Sequence, residues 1–302
     1  MPQSPRDVRT RIRAVTNIEK ITRAMAMVAA ARLRRAVQRI EALRPYASAI
    51  RRMTRQAAQA SGAMGRVPIL QERPEVRTVG LLLVAGDRGL AGAFNSNIVR
   101  AGIGAGREHE AAGRRVLYFA SGRRAASSLT FRGLAPVDSF TGFTDRPNYA
   151  DARRIAGRLV VAYLDEEVDQ VEVFYNGYAS AISQVVRRET LLPLQRATLL
   201  EEEPPEEPAS GADQQRRVAP EYEPDAEPVL RRLVPDYVEV SIYRALLEST
   251  ASEHGARMTA MRQASDNASE LMQDLTLQMN RARQAEITQE IMEVVAGAEG
   301  LG

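Results

Sequence analysis

Few residues in this chain could do chemistry, and their spacing decides how each one reads. Gly86, Gly89 and Gly92 follow an apolar run and precede a helical pattern, which is where a glycine-rich turn would cradle a phosphate. Their spacing is G-x-x-G-x-x-G, however, while a dinucleotide fingerprint needs G-x-G-x-x-G and a phosphate loop needs a lysine directly after its last glycine. Lys20 is the only lysine. The three glycines therefore read as tight-turn residues, with Asp87 and Arg88 capping and pairing locally. The two histidines, His109 in an Arg-Glu-His-Glu run and His254 beside Glu253, read as solvated positions. Glu166 and Glu167 are adjacent and so face different directions, which makes them no acid/base pair. With no cysteine there is no disulfide, no thiolate nucleophile and no Cys-based zinc site. The expectation is a chain without catalytic residues, bound cofactor or metal.

The elements that would carry these residues fall into three groups. From Asp236 to Gly302, positions Met258, Met261, Ser265, Ala268, Met272, Leu275, Met279 and Ala282 recur at spacings of three and four, the a/d stripe of a coiled-coil seam. Extended back through Tyr243 and Leu247 and on through Ile287, Ile291 and Val294, this gives a helix of roughly 85 to 90 Å at about 1.5 Å per residue, too long to stand without a partner. The start of the chain offers one. Val8, Ile12, Val15, Ile18, Ile21, Met25, Ala29 and Leu33 form a second stripe, with a 4-4-4 spacing between Ile21 and Leu33 that predicts a local loss of heptad phase. Pro45 should bend this helix. Two terminal helices around a globular middle pair most simply antiparallel.

The middle alternates between periods. Arg77–Val84, Arg115–Ala120 and Val168–Tyr175 read as strands, with helices over about 94–111, 122–131 and 149–165, and Ile182–Leu191 alternates like an antiparallel or edge strand. The fold class expected is thus α/β with a long coiled coil, the middle a doubly wound, Rossmann-like domain. The segments expected are 1–60 as the N-terminal helix, 75–195 as the α/β domain, 201–228 as an acidic, proline-rich and disordered insertion, and 236–302 as the C-terminal helix.

Charge is unevenly spread. The net charge of the 302 residues is +3, yet residues 1–60 carry thirteen arginines and Lys20 against Asp7, Glu19 and Glu41. Such a basic helix is either a plain solvated face or a surface for acidic partners. Nucleic acid is the alternative partner, but aromatic residues make up 5% of the chain and none interleave with the basic face to stack on bases. No apolar run of about eighteen residues could span a bilayer, and the first residues lack the core of a secretory signal, so a cytoplasmic location is expected.

Four stretches carry a resemblance to a known family. Arg11–Arg35 (RIRAVTNIEKITRAMAMVAAARLRR), Arg44-Pro45-Tyr46, Gly86–Asn97 (GDRGLAGAFNSN) and Ala251–Gly297 (ASEHGARMTAMRQASDNASELMQDLTLQMNRARQAEITQEIMEVVAG) resemble, in colinear order, the gamma subunit of F-type ATP synthase. The resemblance implies a central-stalk rotor that is not itself an enzyme. Its coiled coil would enter the hexamer of alpha and beta subunits, and its α/β domain, with the epsilon subunit, would stand on the c-subunit ring at the cytoplasmic face of the inner membrane. It also implies coupling or partner contact at Met25, Arg257, Arg283, Gln284, Thr288 and Glu290. The chain departs from the usual pattern in three places: Arg23 stands where lysine is common, Ala26 replaces a charged residue, and the stretch Glu201–Asp225 is long. The cysteine pair of the plastid type is absent.

Overall fold

A computed structural model describes residues 5–61, 67–71, 73–180, 183–194 and 226–299. The chain runs α1 (Pro5–Ser61), β1 (Thr78–Val84), α2 (Phe94–Ala111), β2 (Arg115–Ser121), α3 (Arg123–Phe131), β3 (Asp138–Phe140), α4 (Tyr149–Leu164), β4 (Gln170–Tyr178), β5 (Gln184–Leu192) and α5 (Ala226–Glu299). It divides into two compact units, residues 1–31 with 257–302, and residues 32–256. Stretch 201–225, the bulk of the expected insertion, lies outside the described residues.

Residues 32–256 form the α/β unit, whose sheet has the order β3-β2-β1-β4-β5. β1 is parallel to both β2 and β4, β2 is parallel to β3, and β5 is antiparallel to β4. The uninterrupted apolar run of β1 follows from cover on both faces. Val79, Leu81 and Leu83 pack with Ile98 and Ala105 of α2 and Leu129 of α3. Leu82 and Val84 pack on the other side with Ile155 and Leu159 of α4 and with Leu230, Val234, Val238 and Leu246 of α5. Each fully buried side chain of this size stabilises the fold by about 1.5–3 kcal/mol. α4 starts at a capping box, in which Asn148 accepts from the Asp151 amide while the Asp151 carboxylate accepts from the Asn148 amide.

Three expectations change here. β3 lies between the helices expected over 122–131 and 149–165, where no strand was expected, because three residues are too few to show a period. α5 begins at Ala226, ten residues earlier than expected, and runs through Pro235. A proline inside a helix costs about 3 kcal/mol, which burial of Leu230, Val234, Tyr237 and Val238 more than offsets. His109 is also not solvated: it is 6% exposed and sits with its Nε2 3.2 Å from Glu172 Oε1. Glu172 further accepts from Gln170 and, at both oxygens, from Arg188. This cluster fastens edge strand β5 to β4 and α2.

Residues 1–31 and 257–302 form the coiled-coil unit. On α5 Met258, Met261, Ser265, Ala268, Met272, Leu275, Met279 and Ala282 are all buried or half-buried, as the seam read from spacing requires. On α1 Val8, Ile12, Val15, Glu19, Thr22, Ala26 and Ala29 are likewise buried or half-buried and form an unbroken four-three heptad alternation, with Thr16, Met25 and Ala30 half-buried beside it. The expected loss of phase is therefore absent. Ile18 and Ile21 do not belong to the seam; they are 52% and 58% exposed. The seam accepts Thr22 because its hydroxyl donates to the Ile18 and Glu19 carbonyls of its own helix, and the Thr16 hydroxyl lies 3.1 Å from Met272 Sδ. Lys20 sits exposed next to this seam.

Glu172→Ala should destabilise the chain by about 2 kcal/mol, since it leaves buried His109 without its acceptor, while exposed Arg188 keeps Glu108. Urea unfolding measures this, and a loss below 0.5 kcal/mol would show the cluster to be idle.

Candidate functional site

In open α/β sheets, ligands bind at the carboxyl ends of the strands, where the strand order reverses. Here that point lies between β1 and β4, since the chain leaves β1 toward β2 on one side and later returns to β4 on the other. The crevice is filled by α5 itself. Ser249 Oγ donates to the Val84 carbonyl at the end of β1 (3.3 Å), Ser252 Oγ to the Asn176 carbonyl in β4 (3.1 Å), and Thr250 Oγ1 to the Thr144 carbonyl (2.9 Å). Every residue from Ala245 to Gly255 is buried. The helix thus satisfies acceptors that a ligand would otherwise meet.

The glycine-rich loop is closed in the same way. The Gly86 amide donates to Asn95 Oδ1 (2.8 Å), and a Cβ at Gly86 would stand 2.6 Å from Glu253 Oε1, so glycine is needed for α5 to approach. Gly92 has φ +55°, as a tight turn requires. Asp87 gathers the neighbouring loops: Oδ1 accepts from the Arg123 amide (2.9 Å), while Oδ2 accepts from the Gly142 amide (2.8 Å) and the Thr144 hydroxyl (3.1 Å). The local capping expected of Asp87 is not what is found: these partners lie 36 to 57 residues away, and the side chain ties separate loops together. His254, expected in solvent, is instead buried, with Nε2 3.9 Å from Asp145 Oδ1. Among the described residues no group of three or more His, Cys, Asp or Glu could hold a metal ion.

The six candidate contact residues have varied surroundings within the coiled-coil unit. Met25 is half-buried and Arg257 is buried. Arg283, Gln284, Thr288 and Glu290 lie past the last seam position, and every residue from Arg283 to Ala296 is exposed. Ile287, Ile291 and Val294 form an apolar stripe there. A second stripe is Ile18, Ile21, Met25 and Val28, of which sequence reading assigned the first three to the seam. Each member stands one residue ahead of a seam position and so is turned by about 100°. The signal was present in the three-four-three spacing of these residues, parallel to that of Glu19, Thr22, Ala26 and Ala29.

These features define a class: an α/β unit whose ligand crevice is closed by its own helix, and a two-helix coiled coil with apolar surface turned outward. The profile of the family described as ATP synthase matches residues 4–301. The ATP synthase gamma chain of Rubrobacter xylanophilus is 43% identical over 299 residues, covering 99% of this chain and 98% of that one. That of Brevibacillus brevis is 42% identical, with 99% of each covered. Among solved structures, a chain of the Tetrahymena thermophila mitochondrial ATP synthase central stalk and c ring aligns with a TM-score of 0.58 at 28% identity, over 81% of this chain and 99% of that one. A chain of the Euglena gracilis mitochondrial ATP synthase shares the fold, with a TM-score of 0.66 at 18% identity over 98% and 94%. The chain belongs to the ATP synthase gamma-chain family.

The α/β unit should not fold without α5. A chain ended after residue 225 loses Leu230, Val234, Val238, Ile242 and Leu246 from its core, at about 1.5–3 kcal/mol each against a typical total stability of 5–15 kcal/mol. Circular dichroism should show no cooperative thermal transition; a sharp one would mean that the crevice tolerates being empty.

Proposed function

We propose that this chain is the central-stalk rotor of an F1Fo ATP synthase, coupling proton-driven rotation of a membrane c ring to ATP synthesis in an alpha/beta hexamer. It has no catalytic role of its own. Its partners are the alpha, beta and epsilon subunits and the c ring, and it sits peripherally at the cytoplasmic face of the inner membrane. No helix among the described residues is long and apolar enough to cross a membrane, in keeping with attachment through the complex.

The observation that carries this reading is apolar surface left outside a filled seam. Ile287, Ile291, Met292, Val294 and Val295 on α5, and Ile18, Ile21, Met27 and Val28 on α1, are all exposed. Contiguous apolar surface of this kind marks an interaction site, and a surrounding sleeve of subunits would cover it. Arg283 then offers charge-assisted, geometrically selective bonds to acidic groups on that sleeve. A shaft drives a surrounding subunit between states only where its contacts with those states differ. Residues beyond the seam, uncommitted to the helix pair, are the ones able to make such contacts.

Replacing Arg283 and Gln284 together with alanine should lower ATP-driven proton pumping severalfold in the assembled complex. Melting of the isolated chain should not move, because alanine is a good helix former. Pumping at the parental rate would remove both side chains from the coupling role, and failure to assemble would make their role structural. The purified chain should hydrolyse no ATP above contaminant level, and hydrolysis that co-purifies with it would contradict the non-catalytic assignment.

A further inference from the structure

Within the α/β unit, the loop between β3 and α4 is pinned to both terminal helices. Arg32 of α1 pairs with Asp145 Oδ2, and Arg39 donates to the Pro147 carbonyl at 3.2 Å. From α5, Thr250 Oγ1 donates to the Thr144 carbonyl at 2.9 Å. One acceptor in this bracket is left over: Asp145 Oδ1 is buried and has no hydrogen-bond partner. A buried carboxylate oxygen in that state is costly and calls for a donor. The imidazole of His254 faces it, 1% exposed, with Nε2 3.9 Å away. That separation is too long for a hydrogen bond, and a movement of about 1 Å would close it.

We infer that His254 and Asp145 form a pH-sensitive latch: protonation of His254 lets Nε2 donate to the open Asp145 oxygen, and the loop is then clamped by Arg32 of α1 on one side and His254 of α5 on the other. A neutral imidazole has a single ring hydrogen, whereas the imidazolium donates from both nitrogens. Histidine is also the side chain whose ordinary titration, near about 6.5, falls in the physiological range. The charged groups around the ring act in both directions. Asp145, Asp87, which holds Thr144 beside it, and Glu253, next along α5, favour the imidazolium. Arg32 and, one turn further along α5, Arg257 oppose it, while Arg146 of the loop is exposed. Asp145 sets the sign, because it turns an unbonded oxygen toward the ring and its other oxygen already engages Arg32. A proton held more tightly in the folded chain adds stability that is fully present below the unfolded-state titration and is lost as pH rises through the folded-state one. Arg32 opens the α/β unit's share of α1, and His254 stands near the end of its share of α5, residue 256. The latch thus acts at the limits of this unit, and it does not depend on the rotor reading.

A double-mutant cycle on the full chain, with His254→Gln, Asp145→Asn and both together, tests the latch by urea unfolding at pH 5.5 and 8. Coupling between the two side chains should change the unfolding equilibrium constant at least fivefold at pH 5.5 and less than twofold at pH 8. Equal coupling at the two pH values, or stronger coupling at pH 8, would overturn the latch. Should Asp145→Asn fail to fold, the parent chain answers alone. With 15N-labelled histidine, the ring signal that is lost in His254→Gln should report an imidazolium with a solvent-protected Nε2 hydrogen at pH 5.5 and a neutral ring at pH 8. A ring still neutral at pH 5.5, or charged at both pH values, would equally overturn it.

Discussion

Three hydroxyl-to-carbonyl bonds, from Ser249, Thr250 and Ser252, determine how the α/β unit can be built. Strand ends in a parallel sheet present carbonyl acceptors to the crevice above them, and a buried acceptor must be met. A helix can enter such a crevice only if its side chains are short and carry donors. Ser249, Thr250 and Ser252 meet that requirement, and they explain how this stretch of helix is buried while remaining polar. Gly86 is the reciprocal requirement on the loop, since a side chain there would collide with Glu253.

The coiled coil answers a different constraint with similar chemistry. Its seam is made of alanine, methionine, serine and threonine more than of branched hydrophobes, so the two helices gain little from large side chains and rely on close approach. Thr16 and Thr22 fit because their hydroxyls bond back to carbonyls one turn earlier. Unbranched methionines fill what irregular space remains. Ile18, Ile21 and Val28 are placed outside, although Val8, Ile12 and Val15 lie in the seam. That is the reverse of the arrangement expected of a helix pair meant to stand alone in water.

Much of the sheet was legible because its strands are either apolar throughout or cleanly alternating, and α2 matches its predicted bounds. The seam of α5 was equally plain. The seam of α1 was not, because hydrophobicity alone ranks Ile18 and Ile21 above Glu19 and Thr22, and the true seam is the polar of two parallel stripes. His109 misled for a related reason. Its neighbours Arg107, Glu108 and Glu110 suggest solvent, but its partners Glu172 and Arg188 come from β4 and β5, and no local pattern announces them. The closed crevice was invisible in the same way, since Ser249 and Ser252 look like ordinary helix residues until the strand ends they bond are known.

The exposed position of Lys20 beside the coiled-coil seam has a chemical consequence. All other side-chain cations of the chain, histidines aside, are guanidinium groups, which do not lose their proton in proteins, so the basic face of α1 keeps nearly constant charge under alkaline conditions that would neutralise a lysine-rich surface. Acetylation and ubiquitination act on amines. Apart from the amino terminus, Lys20 is the one point where an acyl transferase or an amine-reactive dye could attach, and this gives the shaft a single chemical address.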